Sequence, residues 1–149
     1  MRKNYNVCYM ILTHGRAYNQ ITLRTLKQLG ITKHIYLIVD DEDEQKETYI
    51  EEYGQQIVIF DKEKEEQQTD TLDNTGTRSV VLFARNVAIR TAKEKGYEYV
   101  VILDDDITEF SYRYVKGNKF KQKKLKQKEI APKNRCLFFL QKHIDINHI

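Results

Sequence analysis

Apolar residues occur along this chain in two textures, and the switches between them predict its elements. Asn6 to Leu12, Ile35 to Val39, Gln56 to Phe60 and Tyr99 to Leu103 are short, nearly unbroken apolar runs. Runs of that length read as strands covered on both faces, as in parallel α/β sheets. Between them the apolar positions form one-sided stripes. Tyr18 to Leu29 aligns Tyr18, Ile21, Leu26 and Leu29, with Leu23 flanking, and Gly30 supplies a helix stop. Glu42 to Tyr53 is helix-compatible, with Tyr49, Ile50 and Tyr53 on one side and Gly54 as its end. Ser79 can cap a helix over Val80 to Lys95, whose apolar residues are Val80, Phe83, Ala84, Val87, Ala88 and Ala92, with Gly96 closing it.

Two stretches carry no such pattern. Asp61 to Thr77 is polar, acidic and aperiodic, which predicts a long loop, mobile or acting as a lid. Gly117 to Ile130 is lysine-rich with few apolar anchors, equally compatible with an exposed helix and a mobile arm, and Pro132 breaks it. Between them, Phe110, Tyr112 and Tyr114 alternate as in a strand. Cys136 to Leu140 is a further apolar run, and His143 to Ile149 alternates weakly, like an edge strand. The order β-α-β-α-β-loop-α-β implies crossover connections and a mainly parallel sheet with helices on both faces, an α/β Rossmann-like fold. The expected division is an α/β domain over residues 1–116 and a basic segment with a short strand over 117–149.

Composition narrows the class. With 149 residues, 32% charged and 40% apolar, the chain has room for one domain with a real core and fits a soluble globular protein. A net charge of +3 does not argue for nucleic acid, but its distribution matters. Asp40 to Asp70 holds thirteen acids against Lys46, Lys62 and Lys64, whereas Arg113 to Arg135 holds ten basic residues against Glu129 alone. That asymmetry predicts a basic surface beside an acidic site, suited to a polyanionic partner. Cys8 and Cys136 lack metal-ligand spacing, so Cys8 reads as an ordinary buried thiol and the setting as reducing. Val7 to Leu12 is too short for a signal-peptide core, and no run reaches eighteen apolar residues. A cytoplasmic protein without membrane contact is expected.

The chemistry centres on Asp104-Asp105-Asp106, directly after the strongest apolar run. Ligands of open α/β sheets bind off the carboxyl ends of the strands. Three carboxylates there repel one another unless a cation sits among them, and a divalent ion with oxygen ligands is the simplest candidate. Alternate residues of an extended chain share a face, so Asp104 and Asp106 can address one ligand; the bland alternative is a solvated turn. Asp40 and Asp41, at another strand tip, can reach the same crevice or merely cap a helix. Arg85 and Asn86 interrupt an apolar helix face, where an arginine needs an acidic partner or a ligand phosphate. Arg16, just after the first run, is a comparable phosphate contact. His14, His34, His143 and His148 form no zinc motif, and neither a glycine-rich phosphate loop nor a Ser/His/Asp spacing occurs. Aromatics beside the lysine-rich segment could stack bases while the lysines hold phosphates.

Gly15-Arg16-Ala17-Tyr18, Thr22-Leu23-Arg24-Thr25-Leu26, Gly30, Ala84-Arg85-Asn86, Gly96-Tyr97 and Leu103-Asp104-Asp105-Asp106-Ile107, with Phe110 and Arg113, carry a resemblance over roughly residues 6–115. The chain resembles GT-A glycosyltransferases of the family 2 type. More narrowly, it is similar to phage-encoded glycosyltransferases associated with TET/JBP-type DNA modification. The resemblance implies a nucleotide-sugar donor, usually a uridine diphosphate sugar, and Mn²⁺ or Mg²⁺. It assigns Asp106 to the metal and Asp104 to the metal or ribose, with Thr13, Arg16, Asp40 and Arg85 lining the nucleotide pocket. It also implies an acceptor hydroxyl on a hydroxymethylated pyrimidine in DNA, which the basic C-terminal arm would suit. No catalytic base is assigned. Enzymes of this group generally continue further past the Asp-x-Asp strand, so a short form, a split product or a donor-binding half is expected. Two rival readings stand beside this one. One is a non-catalytic nucleotide- or DNA-binding remnant. The other follows from Asp104, Asp106 and Thr108, which resemble the first motif of haloacid-dehalogenase-like phosphatases and imply phosphoryl transfer, although that motif opens its own fold.

Overall fold

The structure, a computed structural model, describes residues 6–68, 80–126 and 145–148. The four apolar runs all form strands: β1 (Val7–Leu12), β2 (Ile35–Asp40), β3 (Ile57–Phe60) and β4 (Tyr99–Asp104). They pair in parallel in the order β3-β2-β1-β4, and β7 (Asp145–His148) adds to β4 as an antiparallel edge. The weak alternation near the C-terminus is thus an edge strand, and the sheet is mainly parallel.

Helices α1 (Ile21–Gln28), α2 (Lys46–Tyr53), α3 (Lys62–Gln68) and α4 (Val80–Glu94) connect the strands. Alternate strand residues point to opposite faces, so each strand contributes to two cores. Ile11, Leu37, Val39, Val101 and Leu103 pack with Leu23 and Leu26 of α1 and Tyr49 of α2. Cys8, Met10, Ile38, Val100 and Ile102 pack with Phe83, Val87, Ala88 and Ala92 of α4. Burial on both sides explains why these strands read as continuous rather than alternating apolar runs.

Two helices start later than the apolar stripes predict. Tyr18 is exposed ahead of α1, and residues before Lys46 form a turn in which Asp43 accepts the backbone N–H of Gln45 at 2.8 Å. Inside the expected loop, α3 is a correction. Asp61 caps it by accepting the Lys64 N–H at 2.8 Å, and its Glu65, buried, is ion-paired with Arg90 of α4. A helix held by a cap and an ion pair leaves no apolar period to detect. Residues 69–77 of that predicted loop, and the Ser79 cap expected for α4, lie outside the described residues.

The second correction concerns the lysine-rich segment. Neither a helix nor an arm, residues 119–124 form β6 (Lys119–Lys124), which pairs antiparallel with β5 (Ser111–Lys116) in a separate hairpin. Gly117 opens the two-residue loop at φ 62°, the left-handed conformation that a primed hairpin turn requires there. Pro132 and the Cys136 to Leu140 run lie outside the described residues.

Candidate active site

β1 and β4 are adjacent in the sheet although β2 and β3 intervene in sequence, and α1 and α4 lie on opposite faces. The chain therefore changes winding direction between β1 and β4, and open α/β sheets bind ligands at such a switch point. The register puts Leu12 beside both Ile38 and Asp104, and Asp40 beside Phe60, so the four strands end nearly level. A crevice of about 330 Å³ opens there, lined among others by Thr13, Arg16, Asp40, Asp104, Asp105 and Asp106.

The three consecutive carboxylates divide into two kinds. Asp105 turns inward and is buried, accepting the Thr13 hydroxyl at 2.8 Å and an Arg16 Nη1 hydrogen at 2.7 Å. Asp104 and Asp106 are exposed, with the Asp106 side chain 63% accessible and 4.0 Å from the Arg16 guanidinium. Arg16 itself is half exposed and keeps further N–H donors beyond the one given to Asp105.

Thr13 sits at the centre of the inward network. Its hydroxyl is 2.8 Å from Gln20 Nε2, 2.9 Å from the Tyr49 hydroxyl and 2.8 Å from Asp105. The carboxylate can only accept and the amide nitrogen can only donate, so Thr13 donates to Asp105 and accepts from Gln20 and Tyr49. Tyr49 then accepts the Arg16 backbone N–H at 2.9 Å. Burial is the main cause that raises the Tyr49 pKa above its ordinary value and keeps the phenol protonated in this donor role. The Thr13 hydroxyl is fully committed inside the protein, so it orients Asp105 and Arg16 and has no capacity left for a ligand.

The start of α1 clasps the loop after β4. Thr22 Oγ1 donates to the Asp104 carbonyl at 2.5 Å and accepts the Ile107 N–H at 2.8 Å, while its own N–H reaches the Asp105 carbonyl at 3.1 Å. Thr25 adds a bond to the Ile107 carbonyl at 2.9 Å. These bonds fix the backbone on either side of Asp106.

A second acidic group lies on the β2 side. His14 Nδ1 is 2.7 Å from Asp40 Oδ2 and 3.4 Å from Asp43 Oδ2. Gly15, at φ 64°, turns its N–H onto Asp43 at 2.7 Å. The ligand atoms of His14, Asp40 and Asp43 lie within 4.8 Å of one another, close enough to hold one metal ion. The other oxygen of Asp40 is buried and has no hydrogen-bond partner among the described residues. A buried lone acceptor of that kind is costly until a donor or cation meets it.

Of the residues expected at the site, Thr13, Arg16, Asp40, Asp104 and Asp106 come together on this one crevice. From α4 the lining residues are Val81 and Ala84, and Arg85 follows at a half-buried position outside the lining. His14, Gln20, Asp43 and Tyr49 were not distinguishable by residue type. His14 carried one usable signal, its place in the polar turn Thr13-His14-Gly15-Arg16 straight after a buried strand.

The architecture is that of a Rossmann-like α/β protein with an acidic crevice at the switch point of its sheet. The chain matches the family model described as TET-Associated Glycosyltransferase over residues 7–148, and it belongs to that family. It is therefore a glycosyltransferase, and the phosphoryl-transfer reading of Asp104 gives way. No match was found among curated proteins or among solved structures. Among the described residues, no helix is long and apolar enough to cross a membrane.

Proposed function

We propose that the chain transfers a sugar from a nucleotide-sugar donor, with uridine diphosphate as the carrier, to a hydroxyl on a hydroxymethylated pyrimidine in phage DNA. The carrying observation is the division of labour among the three carboxylates: Asp105 is buried and paired, while Asp104 and Asp106 face the crevice beside Arg16. Among the described residues, the crevice gathers Asp40, Asp104, Asp105 and Asp106 against Arg16 as its one permanently charged cation, an imbalance that favours a divalent cation. Carboxylate oxygens suit Mg²⁺ or Mn²⁺, and Asp104 and Asp106 are the residues that would hold it. When bound, such an ion stabilises negative charge on a departing diphosphate. Arg16 donates to the same phosphates with the N–H groups that Asp105 leaves open. Asp40, at the tip of β2, lies on the base and ribose side of the crevice. Arg85 supports the nucleotide side from α4.

Calorimetry with uridine diphosphate should give heat that depends on Mn²⁺ and disappears in Asp106→Ala, and labelled nucleotide sugar should label hydroxymethylated DNA. Mn²⁺ binding that survives Asp106→Ala but is lost in His14→Ala would move the ion to the His14–Asp40–Asp43 group. Binding indifferent to both substitutions would remove the metal assignment altogether. Donor binding with no labelled DNA would leave the acceptor assignment without support.

A further inference from the structure

Among the described residues, the most basic element, β6, is absent from the crevice lining. In the β5–β6 hairpin, Tyr114 pairs with Lys121, Val115 with Phe120, and Lys116 with Lys119. Cross-strand partners share a face and successive pairs alternate between faces. One face therefore carries Tyr114, Lys116, Lys119 and Lys121. The other carries Arg113, Val115 and Phe120. Every residue of β6 is exposed.

Three features of this ribbon point to a partner. Lys116 directly opposite Lys119 is a like-charge pair that weakens an isolated hairpin, and a polyanion would turn it to advantage. At the tip, Val115 and Phe120 sit side by side and are 62% and 85% exposed. An apolar pair of that kind, carried on a basic ribbon, is the equipment with which proteins wedge between stacked bases. Finally, the hairpin is rooted beside the site. It begins five residues after Asp106, and its base is pinned by the Leu125 N–H to the Phe110 carbonyl at 2.8 Å, with both side chains buried in the α1-side core. Lys124, near the root, is engaged with Glu109 at 3.0 Å and stays with the domain.

We propose that the hairpin is the grip on acceptor duplex DNA: Lys116, Lys119 and Lys121 hold the phosphate backbone, and the Val115–Phe120 tip enters the stack beside the target base. The inference rests on the DNA-base acceptor proposed above. A group on a base inside a duplex cannot reach a protein crevice unless that base leaves the stack, and loss of stacking beside a wedge lowers the cost.

The test uses the full chain without any sugar donor, so its outcome is separate from that of the transfer assay. The probe is a labelled duplex with one hydroxymethylcytosine next to 2-aminopurine, whose fluorescence rises on unstacking. K116A/K119A/K121A should bind it roughly tenfold or more weaker, and the slope of log affinity against log salt should become shallower by about three. F120A should keep duplex affinity within a few-fold and lose the fluorescence rise. Unchanged circular dichroism and unchanged uridine diphosphate heat would establish that both variants are folded. An unaltered salt slope in the triple variant would overturn the backbone contact, and a fluorescence rise retained in F120A would overturn the wedge. Polyglutamate competing as well as the duplex would make the ribbon a surface for acidic protein and overturn the proposal as a whole.

Discussion

Three aspartates in a row present the same chemistry in sequence and two different situations in the folded chain. Asp105 holds two hydrogen bonds, one from a cation, while Asp104 and Asp106 face solvent in a crevice. Replacing Asp105 by Asn removes a charge-assisted bond from Arg16 and forces an amide N–H toward donors that expect an acceptor. The expected cost is about 1.5–3 kcal/mol of stability. Asp104→Asn and Asp106→Asn relieve repulsion and should leave stability within about 0.5 kcal/mol of the parent. Urea unfolding of the three single variants makes the comparison. Equal losses for all three would mean that Asp105 has no special role in holding the loop. The Asp-x-Asp spacing singled out the outer pair, and those two are the exposed carboxylates of the crevice, although Asp105 and Asp106 lie in the turn after β4 and not in an extended segment. It could not reveal Thr13 as a positioning residue, since that depends on Gln20 and Tyr49 arriving from other elements.

The elements legible in the sequence were those in which burial wrote a period. β1, β2, β3 and β4 were legible from buried strands such as Met10–Ile11–Leu12 and Val100–Val101–Ile102, and α4 from Phe83, Val87, Ala88 and Ala92. The elements missed are stabilised by other means. α3 depends on the Asp61 cap and the pairing of Glu65 with Arg90 across space. β6 buries nothing along its length, and its local signal was the Gly117-Asn118 pair after the alternating run that ends at Lys116. The joint between α1 and the loop after β4 was equally hidden, because Thr22 touches residues more than eighty positions away. Thr22→Val keeps the shape while removing both the bond to the Asp104 carbonyl and the acceptor of the Ile107 N–H. Stability should fall by about 1–3 kcal/mol, and Mn²⁺-dependent donor binding should weaken because the backbone flanking Asp106 is no longer fixed. Donor affinity equal to the parent in a folded Thr22→Val protein would show that the clasp serves stability alone.

At the scale of the whole molecule, the charge asymmetry along the chain becomes a spatial one, with acids at the β2 side of the crevice and lysines on a hairpin outside the main sheet. The two parts differ in what holds them. The sheet is sandwiched between two cores, and Cys8 within it is buried deeply enough that its thiol pKa is pushed up to about 12, the inert thiol that an apolar run implies. The hairpin has only two strands, and such a unit is marginally stable by itself, so its bonds open locally rather than with the domain. Hydrogen exchange should therefore show two classes of amide. Those of Met10 and Ile102, in the middle of β1 and β4, should exchange only through global unfolding and respond to denaturant accordingly. Those of Tyr114 and Lys121, a directly paired couple at a hydrogen-bonded position near the hairpin turn, should exchange orders of magnitude faster and be nearly insensitive to low denaturant. Adding duplex DNA should slow the hairpin class while leaving the sheet class governed by global stability. If the hairpin amides instead matched the sheet in rate and in denaturant dependence, the two parts would form one cooperative unit, and an independently ordering DNA grip would have no physical basis.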